Sequence, residues 1–147
     1  MFKNILVLCT GNICRSPIAE AVLRARLVGA GIEVRSAGTA ALVGEPADRL
    51  AVEVAHDQGL DLSAHRGQQA TLPLMQGSDL LLVMTREHAD WVHGRLPALR
   101  GRVHLLGRWR GEEIADPYGD PKSAFEASIS HIGQTVGDWI PRLGLAG

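Results

Sequence analysis

The sequence predicts an α/β fold: one domain over residues 1–147, in which a four-stranded parallel sheet carries helices on both faces. Continuously apolar runs recur along the chain, as in Ile5-Leu6-Val7-Leu8 and Leu80-Leu81-Leu82-Val83. Strands apolar on both sides belong to parallel sheets covered by helices. Stretches of helical periodicity alternate with these runs, which implies right-handed crossovers between parallel strands. The first run stops abruptly at Cys9, shortly before Pro17 opens a helical pattern. Ligands of such sheets bind beyond the carboxyl ends of the strands, and Cys9 lies at one.

The first strand covers residues 4–9. The first helix covers 16–29, with Ile18, Ala21, Val22 and Ala25 at helical spacing, Ser16 as its N-cap, Pro17 in its first turn and Gly29 and Gly31 at its end. Ile32 and Val34 mark a short second strand that reaches Ser36. Residues 37–47 form a small, apolar loop punctuated by Gly and Pro. Asp48 caps a helix that turns Leu50, Ala51, Val54 and Ala55 inward and stops near Gly59. Residues 61–71 are polar and irregular, with room for a short helix up to Gly77. The third strand is 79–84, Thr85 caps a helix to Gly94, and the fourth strand is 103–106. Residues 109–121 make a long charged loop, and Arg108, Arg110, Glu112 and Glu113 read as a solvated face. The last helix, 122–143, carries Phe125, Ile129, Ile132, Val136 and Ile140 on one face. Asp120, before Pro121, reads as its cap.

The turn from Cys9 to Arg15 is where chemistry concentrates. A tight strand-to-helix loop turns successive backbone N–H groups inward at the positive end of a helix dipole, which makes an anion site. A thiol placed there ionises readily. Arg15 adds a planar fork for two oxygens of a phosphate. Thr10, Gly11, Asn12, Ile13, Cys14 and Ser16 complete the expected phosphate-binding loop. Ser16 admits two readings, helix cap or hydroxyl donor to the thiolate. Asn12 sits where a loop needs a left-handed residue. No G-K-S/T sequence follows Gly11, so a Walker nucleotide site is excluded.

Cys9, five residues, Arg15 and Ser16 match the C-x5-R-S/T loop of cysteine-dependent phosphatases. The fuller string CTGNICRSPIAEAVL, with Ser36-Ala37-Gly38-Thr39 and Asp116-Pro117-Tyr118, resembles the low-molecular-weight protein tyrosine phosphatases along nearly the whole chain. The resemblance implies a protein-tyrosine-phosphatase acting through a cysteinyl-phosphate, with Cys9 as nucleophile, Arg15 as phosphate clamp and Asp116 as general acid. An aryloxide leaving group needs a proton that a thiolate cannot give. Pro117 restricts the backbone of Asp116; Asp120 is the competing acid. Tyr118 and Leu42 are expected to line the substrate slot, although Gly119 stands where many members carry a second tyrosine. The resemblance further implies a protective Cys9–Cys14 disulfide, against the reading of Cys14 as a small buried residue. It gives His65 a bracing contact through Asn12 and brings Ser36 to the same loop, with ordinary core or strand-end roles as the alternatives.

Two other activities share this loop. Arsenate reduction needs relay cysteines, and the chain has only Cys9 and Cys14. Phosphoarginine phosphatases carry Thr at the place of Ile13, whose bulk favours phosphotyrosine. A catalytically silent anion-binding or redox module would not need Cys9, Arg15 and Asp116 together. The opening MFKNILVLCTGNICRSP and Ala41-Leu42-Val43-Gly44 look like bacterial members that partner tyrosine autokinases of exopolysaccharide or capsule export. An aliphatic rim at Leu42, where eukaryotic members place an aromatic residue, suits a flexible phosphotyrosine tail. A net charge of −1 argues against nucleic acid. No apolar run approaches the roughly 20 residues of a membrane span, and the N-terminus lacks a signal-peptide layout. Two cysteines five apart do not make a secreted disulfide framework. The expectation is a cytoplasmic monomer. The other histidines, His56, His88, His93, His104 and His131, lack metal-ligand spacing with carboxylates or cysteines, so neither metal nor cofactor is expected.

Overall fold

The computed structural model describes residues 2–143. Its elements are β1 (Asn4–Cys9), α1 (Arg15–Arg26), β2 (Glu33–Gly38), α2 (Arg49–Asp57), α3 (Leu72–Gln76), β3 (Leu80–Val83), α4 (Arg86–Arg95), β4 (Val103–Leu105) and α5 (Lys122–Trp139). The four strands form one sheet in the order β2-β1-β3-β4, and every pairing is parallel. The predicted fold class holds.

Side-chain alternation on the central strands explains why they read as unbroken apolar runs. Ile5, Val7, Cys9, Leu80 and Leu82 face one core with residues of α1, α2 and α5, including Ile18, Leu23, Val54, Phe125 and Ile132. Leu6, Leu8, Leu81 and Val83 face a second core with Met75 of α3 and Val92 of α4. Both faces of β1 are dry: residues 5–8 are at most 2% exposed. Burying each such side chain is worth about 1.5–3 kcal/mol. The end of β1 is therefore a rigid platform, and Cys9 is its last residue.

Several boundaries differ from the sequence expectation. Strand β2 continues to Gly38, because Gly38 pairs with Cys9 and bridges to Gln69. Helix α1 begins at Arg15 with Cys14 at the N-cap and no side-chain cap, and its α-turns end at Arg26, short of Gly29. Ser16 thus lies inside the first turn, and its hydroxyl is used elsewhere. Asp120 does not cap α5. Pro121 holds the cap position without a side-chain hydrogen bond, and the Asp120 N–H donates to the Pro117 carbonyl in a turn (2.9 Å). The last turn, Ile140–Leu143, is 3-10 rather than α. Asp48 caps α2 as expected, accepting from the Leu50 N–H (2.9 Å), and Thr85 caps α4. The charged loop contains a 3-10 turn at Arg108–Arg110 and is stapled to α5 by Arg110–Asp138 (2.6 Å) and His131–Glu112 (3.1 Å). Arg108, Arg110, Glu112 and Glu113 are all exposed, as the sequence reading expects of a solvated face, and Arg110 and Glu112 also tie the loop to α5.

Candidate active site

The loop from Cys9 to Cys14 is held by its carbonyls. Those of Cys9, Thr10 and Gly11 accept from the N–H groups of Thr39, Ala40 and Leu42 (2.9, 3.0 and 3.0 Å), which belong to the loop after β2. The carbonyl of Asn12 accepts from His65 Nε2 (2.7 Å), that of Ile13 from Asp48 N (2.8 Å) and that of Cys14 from Ile18 N (3.3 Å). Six consecutive carbonyls are bound by donors outside the loop, which leaves the N–H groups between them available to an anion. The result is an anion cradle ahead of the α1 N-terminus. Gly38 makes the close approach workable, because a Cβ there would sit on the Thr10 carbonyl oxygen.

Asn12 locks this shape. It is fully buried with φ of 60°, the one non-glycine residue with positive φ among the described residues. Its Oδ1 accepts from the Gln68 N–H (2.9 Å), which fixes the amide orientation. Its Nδ2 then donates to Ser16 Oγ (2.8 Å) and Ser36 Oγ (3.0 Å). The Ser36 hydroxyl in turn donates to Glu20 Oε1. Ser16 Oγ, already accepting from Asn12, has its proton free for Cys9 Sγ, 2.9 Å away. Of the two readings of Ser16, the hydroxyl contact is the one the geometry contains. His65 and Ser36 both reach Asn12.

Arg15 is buried, 4% exposed, on the first turn of α1. One guanidinium nitrogen donates to the Ile114 carbonyl (2.9 Å), and the other end lies 3.6 Å from Asp116 Oδ2. Asp116 is half-exposed, and its Oδ1 accepts from the Tyr118 N–H (3.1 Å). Cys9, Arg15, Leu42, Asp116 and Tyr118 meet around one cavity of about 300 Å³, with Ile13 in its wall. A larger cavity of about 470 Å³ lies behind the loop against Glu20, Ser36 and His65, and contains none of Cys9, Arg15 or Asp116. Cys9 and Cys14 are both buried free thiols. Burial, and next the carboxylate of Asp48, push the Cys14 thiol far up, so Cys14 stays protonated.

Sequence reasoning missed four participants: the Ile114 carbonyl that aims Arg15, the Gln68 N–H that orients Asn12, Glu20, and His88. His88 had been set aside with the other histidines. Its Nε2 lies 2.9 Å from Thr10 Oγ1, in a second cavity of about 420 Å³ that shares Thr10, Arg15 and Asp116 with the first. The available signal was the spacing Thr85-x-x-His88 at a helix start, a capping-box pattern with His in the acidic residue's place. Among the described residues no group of three His, Cys, Asp or Glu could hold a metal ion.

The family model for low molecular weight phosphotyrosine protein phosphatase matches residues 4–145. The chain belongs to this family. It is 47% identical over 143 residues to a probable low molecular weight protein-tyrosine-phosphatase, EpsP, of Ralstonia nicotianae, covering 97% of each chain. The crystal structure of the Erwinia amylovora tyrosine phosphatase AmsI superposes with a TM-score of 0.93 at 41% identity, over 99% of this chain and 95% of that one. Tyrosine phosphatase Wzb of Escherichia coli K30, in complex with sulphate, does so with 0.92 at 42% identity, over 98% and 100%. Membership in this phosphatase family gives the loop geometry its chemical context.

Proposed function

We propose that this protein hydrolyses protein phosphotyrosine through a cysteinyl-phosphate on Cys9. The observation that carries the reading is the convergence on one cavity of Cys9 Sγ, the guanidinium of Arg15 and the carboxyl of Asp116. Cys9 and Asp116 lie far apart along the chain, so folding alone unites them. In the first step the Cys9 thiolate attacks phosphorus, an S–P bond forms, and the P–O bond to the phenol breaks. Asp116 gives its proton to the departing oxygen. The Arg15 fork, aimed by Ile114, and the loop N–H groups hold the three equatorial oxygens best in the transition state. In the second step Asp116, now a carboxylate, takes a proton from water as that water attacks phosphorus. The S–P bond breaks, and inorganic phosphate and the Cys9 thiolate return. The Ser16 hydroxyl supports the thiolate in both steps.

The substrate is a phosphotyrosine protein, and the tail of a bacterial tyrosine autokinase of exopolysaccharide or capsule export is the proposed partner. Support comes from the likeness to bacterial members and from the rim: Leu42 and Val43 are exposed aliphatics, which leave the mouth open to an extended tail. A monomer acting in the cytoplasm fits this reading, and among the described residues no helix is long and apolar enough to cross a membrane. Ile13 in the cavity wall disfavours phosphoarginine. Phosphotyrosine, phosphoserine and phosphoarginine peptides assayed side by side test the reading. Only the first should turn over well, and preference for phosphoarginine would overturn it.

A further inference from the structure

We infer that His88 is a positioning residue for substrate recognition: by holding the Thr10 hydroxyl it turns the apolar side of Thr10 toward the slot above Cys9. The inference rests on reading the Cys9 cavity as an aryl-phosphate slot. Thr10 stands between the two cavities and lines both. Its Oγ1 faces His88, which borders only the second cavity (2.9 Å). Oγ1 and the methyl diverge from one Cβ, and three staggered positions exist for the pair. With Oγ1 committed to His88, the methyl remains for the side that carries Ile13, Leu42 and Tyr118.

His88 is built for this task. It is 5% exposed. The Thr85 N–H donates to its Nδ1 (3.2 Å), so the ring proton resides on Nε2 and is donated to Thr10 Oγ1. Thr85 Oγ1 in turn accepts from the His88 N–H at the start of α4. Burial, and next the positive charge of Arg15, lower its pKa to about 4, so the neutral tautomer persists at neutral pH. A protonated ring could not accept from Thr85. Without His88, Thr10 would be free to rotate its hydroxyl into the slot, where an aromatic ring offers it no partner.

Competitive inhibition by two anions separates positioning from general damage. Inorganic phosphate occupies only the cradle, whereas benzylphosphonate also fills the slot. His88→Ala should raise the inhibition constant of benzylphosphonate about three- to tenfold and leave that of phosphate unchanged. In a Thr10→Val background, which has no hydroxyl to rotate, the same substitution should change neither. His88→Gln, whose side-chain N–H reaches the place of Nε2, should restore the wild-type ratio. Thr10→Ser keeps the bond to His88 but lacks the methyl, and should weaken benzylphosphonate selectively even if His88→Ala fails to fold. Equal losses for both anions, a loss that persists in Thr10→Val, or an unmoved ratio in Thr10→Ser would overturn the assignment. Failure of the underlying slot reading looks different: benzylphosphonate would then bind the unmodified protein no more tightly than phosphate does.

Discussion

The loop that carries Cys9 and the loop that carries Asp116 face each other across one cavity, and they are built differently. The Cys9 loop is buried apart from Thr10 and Gly11, with six carbonyls tied from outside and Asn12 satisfied at every polar atom of its amide. The Asp116 loop is exposed, with Tyr118 59% open to solvent. Its links to the other loop are the Arg15–Ile114 hydrogen bond and the 3.6 Å Arg15–Asp116 pair. The difference matches the two tasks. A cradle for transition-state charge works because its dipoles are fixed in advance. A group that gives up a proton and then takes one back from water must stay within reach of solvent.

The largest effect should come from the rigid side. Cys9→Ser should lower turnover by about 10⁴ or more while the protein still binds phosphate, because the cradle survives. Trapping of a phosphoenzyme by rapid quench should vanish with it, and substantial residual turnover would refute the covalent route. On the open side, Asp116→Asn should slow phosphotyrosine peptides by about 10²–10⁴ and aryl phosphates with acidic phenols much less. Asp120→Asn should change either rate by less than about twofold, as its carboxyl caps nothing. A leaving-group dependence that follows Asp120 instead would relocate the acid. Asn12→Ala should cost about 2–4 kcal/mol in chemical denaturation, by orphaning buried partners and by losing the tolerance of asparagine for positive φ. Asn12→Gly removes the second penalty only. If Gly recovers most of the loss, Asn12 serves as a turn residue and not as a lock.

The last effect is a pH slope. The pKa of His88 falls from an ordinary 6.5 to about 4 on folding. Between these values the unfolded chain binds the proton and the folded one does not, so stability falls as pH drops from about 6.5 to 4. The slope from one such group is at most about 1.4 kcal/mol per pH unit. His88→Gln should flatten the profile by that amount, measured as the difference between the two proteins' unfolding free energies at pH 7 and pH 5. An identical slope in both proteins would show that His88 titrates normally.

What the sequence disclosed follows the range of the interaction. The Cys9–Ser16 loop is a local pattern of residue types, and the strand runs and the Asp48 and Thr85 caps are local too. Each could be read without knowing what lies across the fold. The His88–Thr10 bond joins positions 78 apart, and the Arg15–Ile114 bond positions 99 apart. No periodicity encodes either. The misreadings have the same origin. Of the two readings of Ser16, the cap is the local use of a serine before Pro17 and does not form, whereas the hydroxyl contact with Cys9 does. Asp120 looks like a cap because it precedes a helix, yet Pro121 takes that position and the turn back to Pro117 directs the Asp120 backbone. Tertiary partners outbid local preference at both places.

The bond from Arg15 to the Ile114 carbonyl also sets a timetable. A ribosome adds roughly 5–20 residues per second, so the 99 positions between the two partners take about 5–20 s to synthesise. Cys9 and its loop are made just before that interval opens, β4 and the carbonyl that aims Arg15 come at its end, and α5 follows only after it. Strand β1 cannot be sealed earlier, since its neighbour β3 and the covering helix α5 are still missing. The reactive thiol therefore exists for several seconds as an unclamped side chain on a nascent polypeptide, and the competent site appears only after Ile114 has been added.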